Sequence, residues 1–150
     1  MKALIQRVTQ AGVRIGNAVH SNIGKGYVVL LGIAVTDTQA DAEWLCQKII
    51  ALRIFADEQG LMNKSITEAG GQILLVSQFT LIAAYRNGSR PSFLNAARPE
   101  QAIPLYQYCI EKLNTLMAQP IATGLFGADM EVQLTNDGPV TIMMDSKTKD

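Results

Sequence analysis

Residues 77–80, Ser-Gln-Phe-Thr, follow four apolar residues, Ile73-Leu74-Leu75-Val76. Such a run suits a strand buried on both faces. A buried strand should not end in two hydroxyls and an amide unless these have partners or chemistry to perform. At the end of a strand, Ser77, Gln78 and Thr80 could ring the mouth of a pocket. Backbone N–H groups left free by the ladder could then serve as donors to an oxyanion. Strand alternation would send Ser77 and Phe79 to one face, and Gln78 and Thr80 to the other. Taken alone, the motif fits equally well a pair of hydroxyls that satisfy neighbouring backbone.

Two further stretches carry residue types suited to a ligand. Arg86, Arg90 and Arg98 occur with no acid between Tyr85 and Glu100. Guanidinium forks match phosphate oxygens, and Asn87-Gly88 and Arg90-Pro91 place the first two on a loop. A solvated basic loop fits the same residues. In TNDGPVT, residues 135–141, Asp137-Gly138 suits a tight turn and Pro139 precedes an apolar strand. A cis bond at Pro139 would aim the carbonyls of Gly138 and Pro139 the same way into a pocket; an ordinary hairpin turn is the other reading.

Nucleophilic devices of the Ser-His or Cys-His kind would have to use the single histidine, His20. It sits beside Asn22 and Gly24 at an apparent hairpin end, as an exposed or structurally satisfied residue does. Cys46 and Cys109 have neither redox nor zinc spacing and fall in amphipathic patterns, as reduced core thiols do. One histidine and two separated cysteines make a poor transition-metal set, so neither metal nor cofactor is expected.

These groups need a scaffold. The 150 residues, 48% hydrophobic, suit one domain, 1–150, and exclude a disordered chain. Formal net charge is zero, so any RNA contact must use a local patch. No apolar run reaches the ~18 residues of a membrane span, and MKALIQRVTQ lacks a signal peptide's apolar stretch. A cytoplasmic protein without membrane contact is expected.

KALIQRVT reads as a strand, VRIGNAVH as a hairpin around Gly16-Asn17, and GYVVLLGIAV as a central strand. Thr36 and Asp37 can cap a helix over 38–52, where Ala42, Leu45, Ile49 and Leu52 share a face. Residues 53–63 suggest two short strands. Gly70-Gly71 opens the long strand. A second helix covers 100–117, with Tyr106, Ile110, Leu113 and Met117 on one face and Pro104 in its first turn. Met130, Val132 and Leu134 alternate with polar residues. NDGP then turns the chain into a last strand, VTIMMD. The fold class is α+β: a barrel-like, largely antiparallel or mixed sheet with two main helices.

SQFTL at 77–81, RPSF at 90–93, TGLFGADM at 123–130 and NDGPVT at 136–141 together resemble the D-aminoacyl-tRNA deacylase family. QRV at 6–8, LLG at 30–32 and the Gly-Gly pair extend the resemblance over essentially the whole chain. It implies a homodimer that hydrolyses the ester joining a D-amino acid to the 3′ end of tRNA, and that clears glycine from wrongly charged tRNA. It implies a barrel-like sheet with outer helices, and active sites at the dimer interface. Ser77, Gln78, Phe79 and Thr80 would line each site. Gly138-Pro139 would enter from the partner as a Gly-cisPro element, braced by Arg7, for which a solvent-facing strand arginine is the other reading.

Stiff main-chain carbonyls near the substrate α-carbon would accept a hydrogen or the ammonium there but collide with an L side chain. Glycine, with no side chain, would pass the same filter. The attacking group is expected to be water, assisted by the 2′-OH of the terminal adenosine, with the Phe79 N–H as oxyanion donor. Met130 would wall the adenosine pocket or pack in the core. Arg86, Arg90 and Arg98 would meet phosphates. The rival readings are a non-catalytic RNA-end or nucleotide-binding module of the same fold, and a Ser/Thr esterase. The second lacks a G-x-S-x-G elbow and a plausible base.

Overall fold

The computed structural model describes residues 1–149. Strand β1 (Lys2–Ile15) turns through Gly16-Asn17 into β2 (Ala18–Ile23), with Ile15 opposite Ala18. Gly16 takes φ +58°, open to glycine and rare for L side chains. β3 (Gly26–Gly32) runs antiparallel along the first half of β1. After helix α1 (Gln39–Ala51), β4 (Phe55–Ala56) and β5 (Met62–Lys64) form a small separate hairpin. β6 (Gln72–Ser77) lies parallel to β3. Helix α2 (Pro99–Leu116) leads to β7 (Ala122–Thr123), parallel to β6, and β8 (Glu131–Asp145) returns antiparallel along β1.

The sheet order is thus β8–β1–β3–β6–β7, with β2 beside the far half of β1. β2 folds over towards β7, where the Ser21 hydroxyl donates to Thr123 O at 2.8 Å. This is the expected α+β architecture: a mixed sheet almost closed into a barrel, with two helices outside. Among the described residues no helix is long and apolar enough to cross a membrane.

The apolar run that ends at Val76 is explained by burial on both faces. Ile73 and Leu75, with Tyr27, Val29 and Leu31, pack towards Leu45, Cys46 and Ile49 of α1 and Tyr106, Cys109 and Leu113 of α2. Leu74 and Val76 turn the other way, against Val8, Val13, Ile23 and Val28. Polar atoms in the first layer are satisfied: Tyr106 donates to Leu75 O at 3.0 Å. Burial, with a smaller contribution from Cys109, pushes its phenol up to about 12. Cys46 and Cys109 are free and buried, as core thiols.

Three local readings are corrected. β1 does not end near Thr9 but continues to Ile15, because β8 pairs along most of its length. Pro104 lies in the second turn of α2, since that helix starts at Pro99. The cap of α1 is Thr38, not Thr36 or Asp37. The Thr38 N–H donates to Asp41 Oδ2 at 2.9 Å, whereas buried Asp37 accepts from the Met1 amine at 2.6 Å and from the Ala34 N–H at 2.7 Å.

Asp41 also accepts from Lys147 and from the Ser146 hydroxyl, both at 2.8 Å. Burial opposes its ionisation, but the bonds from Lys147, Thr38 and Ser146 outweigh this and hold the carboxyl well below the usual carboxylate range. A depressed folded pKa contributes stability above the unfolded value of ~3.9, and that contribution is lost as pH falls through the folded value. Asp41→Asn is therefore expected to lower Tm by about 2–5 °C at pH 7. The gap should narrow as pH is lowered from about 4, and thermal melts across that range check the sign; a gap that widens in acid contradicts the assignment.

Candidate active site

β6 ends at Ser77, paired with Leu31, and the Gln78 N–H still donates to Leu31 O at 2.8 Å. The chain then winds into one 3-10 turn, Phe79–Ile82. The expected alternation of faces beyond Ser77 therefore fails. The turn instead brings Gln78 Nε2 within hydrogen-bonding reach of Thr80 Oγ1. Gly32 explains why the turn packs so tightly here: a Cβ on it would lie 2.9 Å from Leu81 Cβ and 3.0 Å from Gln78 O. Phe79 and Thr80 open the turn, where N–H groups have no acceptor within the helix. Among the described residues, neither N–H meets one elsewhere.

Beside this turn lies a cleft of about 300 Å³. Ser77, Gln78 and Phe79 line one side, Phe126 to Met130 another, and Leu31, Val76 and Ala102 the apolar depth. Thr80 is exposed at the turn. The wall from Phe126 to Met130 is shaped by glycines. Gly127 takes φ +77°, and a Cβ on Gly124 would lie 2.7 Å from Met130 Sδ. Met130 packs against the inner core cluster, as one reading expected, and also lines the cleft. Phe126 and Asp129, also on the cleft, escaped the sequence reading as individual residues, although both lie in the TGLFGADM stretch.

The NDGP segment is not a hairpin turn but a bulge inside β8. Gln6 pairs with Thr141 and Val8 with Asn136, so residues 137–140 stand opposite the single residue Arg7. The Asn136 side chain closes the base, its Nδ2 donating to Arg7 O at 2.9 Å and to Val140 O at 3.0 Å. The Gly138–Pro139 bond is cis, with Gly138 at φ +121°. Arg7 is half-buried beneath the bulge. Its Nη1 donates to Ile54 O. Its Nε lies 3.1 Å from Asp137 Oδ2, though the N–H is not aimed at it and has no hydrogen-bond partner.

Asn136→Ala would leave two carbonyls unpaired at the base of the bulge, at roughly 1–3 kcal/mol each where buried. It is expected to lower Tm by a few degrees, as thermal melts would read. Asn136→Asp, which keeps the size but loses the donor, should resemble it. An unchanged Tm in both variants would show that other contacts hold the bulge.

Within this chain the two motifs are apart. Arg7 and the bulge stand level with Tyr27 and Ile73, whereas Ser77 stands level with Leu31 and Ala3. They are separated by four residues along the sheet and by three strand spacings across it, on the order of 15–20 Å. Gly138 and Pro139 do not line the Ser77 cleft. Arg86, Arg90 and Arg98 are exposed; the last is the N-cap of α2. His20 is exposed on β2.

The fold is shared with a structure described as a probable eukaryotic D-amino acid tRNA deacylase, with TM-score 0.80 and 16% identity over 95% of this chain and 97% of that one. A second structure, described as c-Myc DNA Unwinding Element Binding Protein, matches more closely, with TM-score 0.92 and 44% identity over 97% and 98% of the two chains. Residues 4–145 match the model of the D-Tyr-tRNA(Tyr) deacylase family, and the chain belongs to that family. Similar relatives named D-aminoacyl-tRNA deacylase include one from Cytophaga hutchinsonii, 56% identical over 99% of both chains. Another, from Bacteroides thetaiotaomicron, is 53% identical over the full length of both.

Proposed function

We propose that this chain, working as one domain over residues 1–150, hydrolyses the ester bond of D-aminoacyl-tRNA and releases the free D-amino acid and tRNA. Support comes from the family, from full-length relatives above half identity, and above all from an unpartnered Phe79 N–H beside a cleft that also carries Ser77 and Gln78. One such donor aimed at a developing oxyanion is typically worth about 10²–10³ in rate. The aminoacyl carbonyl oxygen rests against this N–H. Ser77, Gln78 and Thr80 position the ester and the attacking water, which is assisted by the terminal 2′-OH of the tRNA. Met130 walls the adenosine, and Arg86, Arg90 and Arg98 meet phosphates.

The chiral filter is Gly138-Pro139, supplied across a homodimer interface. The distance between bulge and cleft within a protomer supports that arrangement, because the two motifs can meet only if one copy offers its bulge to another. Glycyl-tRNA passes the same filter. The reaction takes place in the cytoplasm. Purified protein is to be incubated with D-Tyr-tRNA, L-Tyr-tRNA, glycyl-tRNA and a simple ester. Rapid release is expected from the first and third only. The name of one 44%-identical structure, a DNA unwinding element binding protein, keeps in view the rival, a non-catalytic RNA-end or nucleotide-binding module of the same fold. Binding of tRNA without release from any substrate would establish that rival.

A further inference from the structure

The loop between the 3-10 turn and α2 is firmly tied at its base yet exposes large side chains. Ala84 and Ser92 exchange both backbone hydrogen bonds, at 2.8 and 2.7 Å. The Val35 N–H donates to Asn95 O and the Ala97 N–H to Ile33 O, both at 2.9 Å, stitching the loop to the end of β3. Held in this way, the loop leaves Tyr85 77% and Leu94 87% exposed. Phe93 meets Phe79 edge-on, with ring centroids 5.0 Å apart, and Phe79 is both a wall of the cleft and 56% exposed. Apolar surface thus extends from the cleft onto the loop. Around it, Arg86, Arg90 and Arg98 make no ion pair among the described residues, and no acid interrupts residues 86–99.

Resting on the function proposed above, we infer that this loop is the binding surface for the single-stranded 3′ tail of the RNA, upstream of the nucleotide held in the cleft. Tyr85 offers a stacking face to a base and Leu94 an apolar one, while Arg86 and Arg90 meet the intervening phosphates. Charge selects this occupant. Unpaired guanidinium groups complement a phosphodiester chain, whereas a second copy of the loop would bring arginine against arginine. Stacking on an aromatic face accepts any base, as an enzyme serving many tRNAs requires.

The test compares two substrates, D-Tyr-tRNA and the minimal ester D-tyrosyl-adenosine, which lacks the upstream nucleotides. Tyr85→Ala is expected to raise KM for D-Tyr-tRNA about 5- to 150-fold, the usual range for losing one stacked base. Its kcat should change less than twofold, and its kinetics on the minimal ester should be those of the parent. Tyr85→Phe should restore the parent KM, and adding Leu94→Ala to Tyr85→Ala should raise it further. An unchanged KM for D-Tyr-tRNA overturns the proposal. So does an equal rise on both substrates, which would place Tyr85 at the reacting end. A shift to monomer in sedimentation by Tyr85→Ala overturns it too, making the loop an interface between copies. Equilibrium binding of uncharged tRNA with and without its unpaired 3′ nucleotides gives a readout independent of catalysis. Removing those nucleotides should weaken binding to the parent but not to Tyr85→Ala; equal weakening in both counts against the proposal. Failure of the parent to hydrolyse either ester would sink the catalytic reading, while this binding comparison would still judge the loop.

Discussion

Gly138→Val is expected to cut kcat/KM on D-Tyr-tRNA by about 100-fold or more while the protein stays folded. The reason is local crowding. A Cβ at this position would lie 2.9 Å from Val140 Cγ2 and 3.0 Å from Arg7 Nη2, and φ +121° is a conformation that L side chains rarely adopt. Holding a non-glycine residue in such a backbone costs of order 1–3 kcal/mol. The exposed bulge can relieve that cost by moving off Arg7, and a misplacement of about 1 Å in a positioning element is enough for a 10²-fold loss. Of the core, only Val140 at its edge is touched, so Tm should fall by only a few degrees.

Gly16→Ala supplies the control. Its φ is also positive, at +58°, but nothing lies within 4 Å of the added carbon. That variant should lose some stability and keep its turnover. Gly138→Ala should fall between the parent and Gly138→Val. If Gly138→Val hydrolyses D-Tyr-tRNA as fast as the parent, the bulge is not the filter and the cross-subunit reading falls with it.

The parts of the fold that were legible in the sequence are those where one local pattern has one cause. Ile73 to Val76 could be placed in a doubly covered strand because apolar side chains on both faces leave no alternation to read. The helices were legible from Leu45 and Ile49, and from Tyr106 and Leu113, each spaced to return to the same face. What escaped depended on partners distant in the chain. The 3-10 turn after Ser77 exists because Gly32 lets it sit against β3, so extrapolating strand alternation to Thr80 misplaced its side chain. Asp137-Gly138 looks like a tight turn locally, but its conformation is set by Arg7 on the opposing strand and by Asn136 reaching across to it. For the same reason the motifs at 77–80 and 123–130 could be quoted separately, while their meeting across one cleft, and the presence of Asp129 there, could not be read from either.

The composition of that cleft sets the second large effect. Replacing the terminal adenosine of D-Tyr-tRNA by its 2′-deoxy form is expected to slow hydrolysis about 10²–10⁴-fold, the usual worth of a positioned proton-transfer group. Thr80 is a poor candidate for attack because its hydroxyl partner is the Gln78 side-chain amide. An amide in either orientation takes no proton at neutral pH, so among the described residues no hydrogen-bond partner of Thr80 activates it. The reaction proposed above therefore takes a water oxygen as the attacking atom. As it bonds to the carbonyl carbon and the bond to the ribose 3′-oxygen breaks, a proton must pass from the water to that oxygen. The neighbouring 2′-OH lies next to the leaving oxygen on the sugar and can relay it.

Thr80→Ala should therefore keep kcat within about tenfold of the parent and form no acyl-enzyme. Among the described residues Asp129 is the one carboxylate lining the cleft, so Asp129→Asn separates the remaining possibilities. A loss of about 10³-fold in that variant, with the 2′-deoxy substrate still turned over at the normal rate, would move the proton-transfer role from the RNA to the protein.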